Sequence, residues 1–178
     1  ADLSAASSPQ AAAAYADALQ TALQNPLLTL ESLPDWLKEQ GGGAALFLSP
    51  LPQGNGERVL HITTPQGGSI YLLERQGRLM PLGAHFLSEG RGDSRLAFGD
   101  LTGDGQAEII LWQDGAEAAR QAAPLPQVFD AAQTPPQRLP FAAQESFTPG
   151  MAFQALWQVQ DGALRFESTL FEACPTLV

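Results

Sequence analysis

The sequence predicts an α+β fold, with an N-terminal helical segment packed on a mainly antiparallel, meandering β-sheet. Three observations carry this. Residues 9 to 40 hold two stretches with helical spacing of apolar side chains, each closed by helix breakers. From Ala44 onward the pattern changes to short apolar or alternating runs of strand length, separated by Gly, Pro, Asn and Asp. The hydrophobic share is 44% of 178 residues, enough for a core that needs no staples. The division expected is a helical segment over residues 1–43 and a β-rich domain over 44–178, together one compact unit.

In chain order, Ser8-Pro9 reads as an N-cap followed by proline in the first turn. Ala11 to Gln24 is then rich in strong helix formers, with Tyr15, Leu19, Ala22 and Leu23 on one face. Asn25-Pro26 stops this helix, because the residue before proline is pushed out of the helical region. A second, shorter helix is expected over Pro34 to Gln40, with Trp36-Leu37 as its apolar face and Gly41-Gly42-Gly43 as its end. A lid over the sheet is the simplest use of both helices; a docking arm for a partner is the functional alternative.

Ala45 to Ser49 is a short apolar strand, closed by Pro50-Leu51-Pro52. Arg58 to Thr64 and Ser69 to Arg75 form a hairpin through Pro65-Gln66-Gly67-Gly68, and Gln76-Gly77 turns the chain into a further strand from Arg78. Apolar side chains occupy both parities here, so both faces should be covered. Residues 115 to 149 hold six prolines and read as an extended surface loop, with Gln127 to Asp130 as a short edge strand. Near the C-terminus, Phe153, Ala155, Trp157 and Val159 alternate with polar residues. Asp161-Gly162 is a type I′ turn signal, and Leu164, Phe166 and Leu170 alternate in the return strand. No internal repeat stands out in good register.

The formal net charge of −10 repels nucleic acid phosphates and anionic membrane faces, so no nucleic acid partner is expected, and it suits a solvated acidic surface. No apolar run reaches the length of a membrane span. Cys174 is the one cysteine, so no intrachain disulfide forms. The start at Ala1-Asp2 suggests a mature end left by signal-peptide removal, which would place the chain outside the cell or in a periplasm.

The stretch Gly99-Asp100-Leu101-Thr102-Gly103-Asp104-Gly105-Gln106-Ala107-Glu108 carries the chemistry. Asp100, Thr102 and Asp104 stand at positions 1, 3 and 5 of a loop. Gly105 permits a sharp turn at position 6, Gln106 offers its backbone carbonyl at position 7, and Glu108 closes at position 9. Three carboxylates so close repel one another unless a cation neutralises them, and a hard cation such as calcium takes six to eight oxygens of this kind. The EF-hand pattern fails, since position 12 is Leu111 instead of a bidentate acid.

The loop, with the Ile109 to Trp112 run behind it, resembles the Asp-x-[Asp/Asn/Thr]-x-Asp-Gly-x-x-[Asp/Glu] loop of the FG-GAP and VCBS repeat families. The likeness covers residues 95 to 113. It implies structural calcium held by Asp100, Thr102, Asp104, Gln106 and Glu108 in a secreted or surface protein. Two departures stand out. Glu108 replaces the commoner Asp, and Thr102 is a neutral ligand. A single copy of the loop also cannot build the propeller those families form.

Signatures of catalysis are absent: there is no nucleophile elbow, no phosphate-binding glycine loop and no zinc spacing among His61, His85 and Cys174. His61 reads as a satisfied sheet residue, Trp112 and Trp157 as core aromatics, and Arg91-Gly92-Asp93 as a polar loop. The expectation is a non-catalytic secreted or periplasmic module with a structural calcium site, serving a binding or envelope-structural role with a protein or carbohydrate partner. Two alternatives stand beside it: a small secreted hydrolase with structural calcium, and a metal-free periplasmic partner-binding protein using residues 124 to 149.

Overall fold

The computed structural model describes residues 9–41, 43–64, 68–86, 93–114, 126–140, 155–168 and 172–173. The fold is α+β, with every strand pairing antiparallel. The chain divides into two compact units, Ala1–Gly90 and Arg91–Val178. The boundary falls there and not at residue 43, because the helices bury their apolar faces against the four strands that follow them.

In the first unit, helix α1 (Pro9–Ala22) and helix α2 (Leu33–Glu39) precede strands β1 (Ala45–Pro50), β2 (Arg58–Thr63), β3 (Gly68–Arg75) and β4 (Arg78–Phe86). The sheet runs in simple chain order, β1-β2-β3-β4. Tyr15 and Leu19 of α1 and Leu33 and Leu37 of α2 meet Leu60 and Ile62 of β2 and Ile70 and Leu72 of β3 in one core. Each such aliphatic side chain withdrawn from water contributes about 1.5–3 kcal/mol, which makes this contact the main restraint on the helices. Leu23 packs at its rim. The residues of opposite parity, Val59, Tyr71 and Leu73, are also fully buried, so both faces of the central strands are covered, as the unbroken apolar pattern requires. Burial pushes the Tyr15 phenol up to about 12.

Local chemistry fixes the ends of these elements. Beyond α1, Asn25 accepts the Leu27 N–H on its side-chain oxygen at 3.0 Å, bridging Pro26 in an Asx turn. Ser32 precedes α2, but its hydroxyl serves the preceding turn, accepting from Thr29 N at 3.0 Å, and makes no cap bond to the helix. Gln76 and Gly77 join β3 to β4 with φ of 52° and 79°, a type I′ pattern that suits the twist of a hairpin.

In the second unit, β5 (Asp93–Gly99), β6 (Glu108–Asp114), β7 (Gln127–Asp130) and β8 (Gln137–Leu139) form a sheet in the order β5-β6-β7-β8. A three-stranded sheet follows, built from β9 (Ala155–Gln160), β10 (Ala163–Ser168) and β11 (Glu172–Ala173) in the order β11-β10-β9. Strand β9 lies against β5 and β6. Ile109, Ile110 and Leu111 of β6 are fully buried.

Gln127–Asp130 is not an edge strand: it is paired on both sides, with Val128 facing Ile110 on β6 and Leu139 on β8. The edge is β8, three residues held between Pro136 and Pro140. Its prolines concealed it in the sequence, yet proline is tolerated at strand ends and on sheet edges.

The two four-stranded sheets share one connectivity although the sequence shows no repeat in good register. The β1–β2 connection carries Gly54-Asn55-Gly56 and the β5–β6 connection carries Gly103-Asp104-Gly105, and Gly56 and Gly105 have φ of 83° and 84°. The first connection holds a single acid, Glu57. The acidic chemistry belongs to the second. Arg91-Gly92, Pro65 to Gly67, Pro124, Phe153, Leu170 and Cys174 lie outside the described residues.

Candidate functional site

Residues 100 to 107 link β5 to β6, which pair down to Gly99 opposite Glu108. The strands thus hold the two ends of the loop one ladder step apart, and the loop must curl tightly between them. It does so through Gly103 and Gly105, whose φ of 77° and 84° would strain any side chain. Open space surrounds both positions, so the backbone conformation, and not crowding, requires glycine there.

Acidic side chains organise the curl from within. Asp100 accepts the N–H of Gly103 at 2.7 Å and of Asp104 at 3.1 Å on Oδ1, and that of Gly105 at 2.9 Å on Oδ2. Three consecutive amides therefore point at one carboxylate, a small anion-binding nest closed by the chain's own side chain. Asp104 accepts from Gln106 N at 2.8 Å. Glu108 is 1% exposed. Its Oε2 accepts from Leu101 N at 2.6 Å and Thr102 N at 3.2 Å, and its Oε1 accepts from the Thr102 hydroxyl at 3.1 Å. A buried carboxylate needs such donors, because an unpaired charge away from water is costly.

The five residues singled out from the sequence therefore share one loop but not one centre. Thr102 and Glu108 face each other. Asp100 serves the Gly103–Gly105 amides, while Asp104 and Gln106 are exposed on the outer turn. Among the described residues, no group of three or more His, Cys, Asp or Glu side chains is arranged to hold a metal ion. The donor chemistry still suits a hard cation. A carboxylate oxygen that accepts one N–H keeps a further lone pair, and Asp100 and Asp104 lie toward solvent with oxygens of that kind.

Tertiary structure adds a neighbour that no local pattern announces. The β9–β10 turn, Asp161-Gly162, comes up against the loop so closely that a Cβ on Gly162 would lie 3.0 Å from the Asp100 carbonyl oxygen. Gly162 has φ of 70° and Asp161 has 53°, the type I′ pattern expected of this pair.

His61 lies beside a serine. Its Nε2 is 3.0 Å from Ser69 Oγ, its ring stacks on Tyr71 at 4.5 Å between centroids, and Phe47 covers it from the edge strand at 5.8 Å. Burial pushes its pKa below the ordinary 6.5. Ser69 is only 2% exposed, so no substrate reaches its hydroxyl, and no described acid orients the far side of the imidazole. The pair satisfies two sheet polar groups; it is not assembled as a nucleophile and base.

Comparison of the chain with protein-family models, with curated proteins and with solved structures gives no match.

Proposed function

We propose that this chain is a non-catalytic module that works outside the cell or in a periplasm, with a structural calcium site at Asp100–Glu108 and a binding or envelope-structural role. The observation that carries the reading is the loop itself: three carboxylates within nine residues, folded by two positive-φ glycines between paired strands. Asp100 and Asp104 would supply the first oxygens, and for Thr102, the Gln106 carbonyl and Glu108 to complete the shell the loop must turn them to one centre, releasing Glu108 from the Leu101 and Thr102 amides. Calcium bound there would neutralise the acids and fix the β5–β6 connection against solvent; it would take no part in a reaction.

A second reading is favoured by the bonds Glu108 makes. With three donors on its carboxylate, the loop is satisfied without metal, and the module is then a metal-free partner-binding protein. Thermal unfolding in millimolar calcium and in chelator separates the two. A ligand bound only to the folded state stabilises by about 2.7 kcal/mol at 100 times its dissociation constant. Asp104→Asn keeps the side-chain oxygen that accepts from Gln106 while removing the charge, so it should weaken the calcium response and leave the fold intact. Equal melting in calcium and chelator selects the metal-free reading.

A further inference from the structure

We propose that the α1–α2 corner is a docking site for a basic, leucine-bearing segment of a partner protein. This surface lies within the first unit and owes nothing to the loop at 100–108. A pocket of about 310 Å³ opens there, walled by Leu27 and Leu28 from the connection and by Asp35, Trp36 and Glu39 from α2. Leu27 is 78% exposed, more than any other large apolar side chain among the described residues. Leu27, Leu28 and Trp36 lie side by side around this pocket, and contiguous apolar surface rimmed by polar residues marks an interaction site.

The surface is already formed. The Asn25 side chain holds Leu27 N, and the Asn25 carbonyl accepts from Leu28 N at 3.1 Å, so the connection is a fixed turn. Trp36 is held from behind by Tyr15, edge to face at 6.1 Å. A partner would therefore meet little ordering cost on this side.

Charge decides which partner. Asp35 and Glu39 are four apart on α2 and emerge on the same side, both lining the pocket and both exposed. Among the described residues, Arg58 pairs with Glu74 and Arg75 with Glu57, and no ion pair places a cation on Asp35 or Glu39. Arginine is the side chain that answers both features. Its guanidinium forks to a carboxylate, and its flat face rests on an indole. A leucine placed after it would cover Leu27 and Leu28. A purely apolar partner would leave the two carboxylates desolvated and unpaired, and an acidic one would be repelled.

The test uses the whole chain in chelator with a fluorescein-labelled twelve-residue peptide of Arg, Leu and Ser, and a control peptide with each Arg replaced by Glu. Saturable micromolar binding of the first peptide alone is expected, with a shift of the Trp36 indole N–H resonance. Asp35→Asn with Glu39→Gln should weaken it about tenfold, and Leu27→Ser by a similar factor. All three positions are exposed, so circular dichroism should show these variants folded. Equal binding of the control peptide, no binding up to millimolar concentration, or affinities unchanged in the variants would overturn the proposal. So would a sedimenting dimer that Leu27→Ser dissolves, since the surface would then belong to a second copy. Because calcium is absent throughout, these outcomes are independent of the loop's response to metal.

Discussion

Glu108 is the residue whose replacement tests the loop most directly. Its carboxylate is buried and receives the N–H groups of Leu101 and Thr102 and the Thr102 hydroxyl. Glu108→Gln keeps the size and one acceptor oxygen, which can still take both amides. The neutral amide then makes ordinary hydrogen bonds in place of charge-assisted ones, a loss of roughly 1 kcal/mol for each of two bonds. Relief from burying a charge offsets part of this, leaving a net cost of about 1–2 kcal/mol. Glu108→Ala removes the acceptor altogether. Water can reach Thr102, which is exposed, but reaches Leu101 less well, so the cost should rise to about 3 kcal/mol. Two assays in chelator check this: denaturant unfolding for the global cost, and amide exchange at Leu101 and Thr102 for the local one. About 1.4 kcal/mol corresponds to tenfold faster exchange. The reasoning fails if the Gln variant lies within about 0.5 kcal/mol of the parent, the range of a neutral surface change, with the Leu101 amide equally protected.

Two further outcomes follow from the same structure. Gly162→Ala should cost about 2–3 kcal/mol, since it combines positive-φ strain with a Cβ pressed on the Asp100 carbonyl. Gly77→Ala, in a turn of the same type with open space around it, should cost only about 1 kcal/mol, and equal costs by denaturant unfolding would refute the contact. His61 should make stability depend on pH. Its folded pKa lies below 6.5, so as pH falls through 6.5 the unfolded chain takes up a proton that the folded chain does not. That contribution is fully present above 6.5 and is lost as pH falls toward the folded pKa. His61→Gln should remove this part of the slope between pH 7 and 5 while keeping a group that can bond Ser69, and an unchanged slope in that variant would count against it.

Much of the fold was legible because it rests on local rules. The stripe of Tyr15, Leu19 and Leu23 marked α1, and Asn25-Pro26 marked its end. The double-sided apolar pattern of residues 58 to 75 foretold strands covered on both faces. Asp161-Gly162 named its own turn. The turn between β5 and β6 was equally visible, since Gly103 and Gly105 stand where a tight curl between two strands requires positive φ.

What escaped the sequence depends on partners distant in the chain. Strand β7 became central because β8 pairs with it, and nothing within Gln127–Asp130 announces that. The division at Gly90 follows from which strands bury the helices, a matter of packing and not of composition. In the loop, the sequence supplied Asp100, Thr102, Asp104, Gln106 and Glu108 as oxygen donors. Only the folded backbone decided that Glu108 turns inward to the Leu101 and Thr102 amides, and that Gly162 comes to rest against Asp100. Residue type and spacing determine which groups are available, because they act within a few residues. Where those groups point is settled by strand register and burial, which bring together segments the sequence keeps apart.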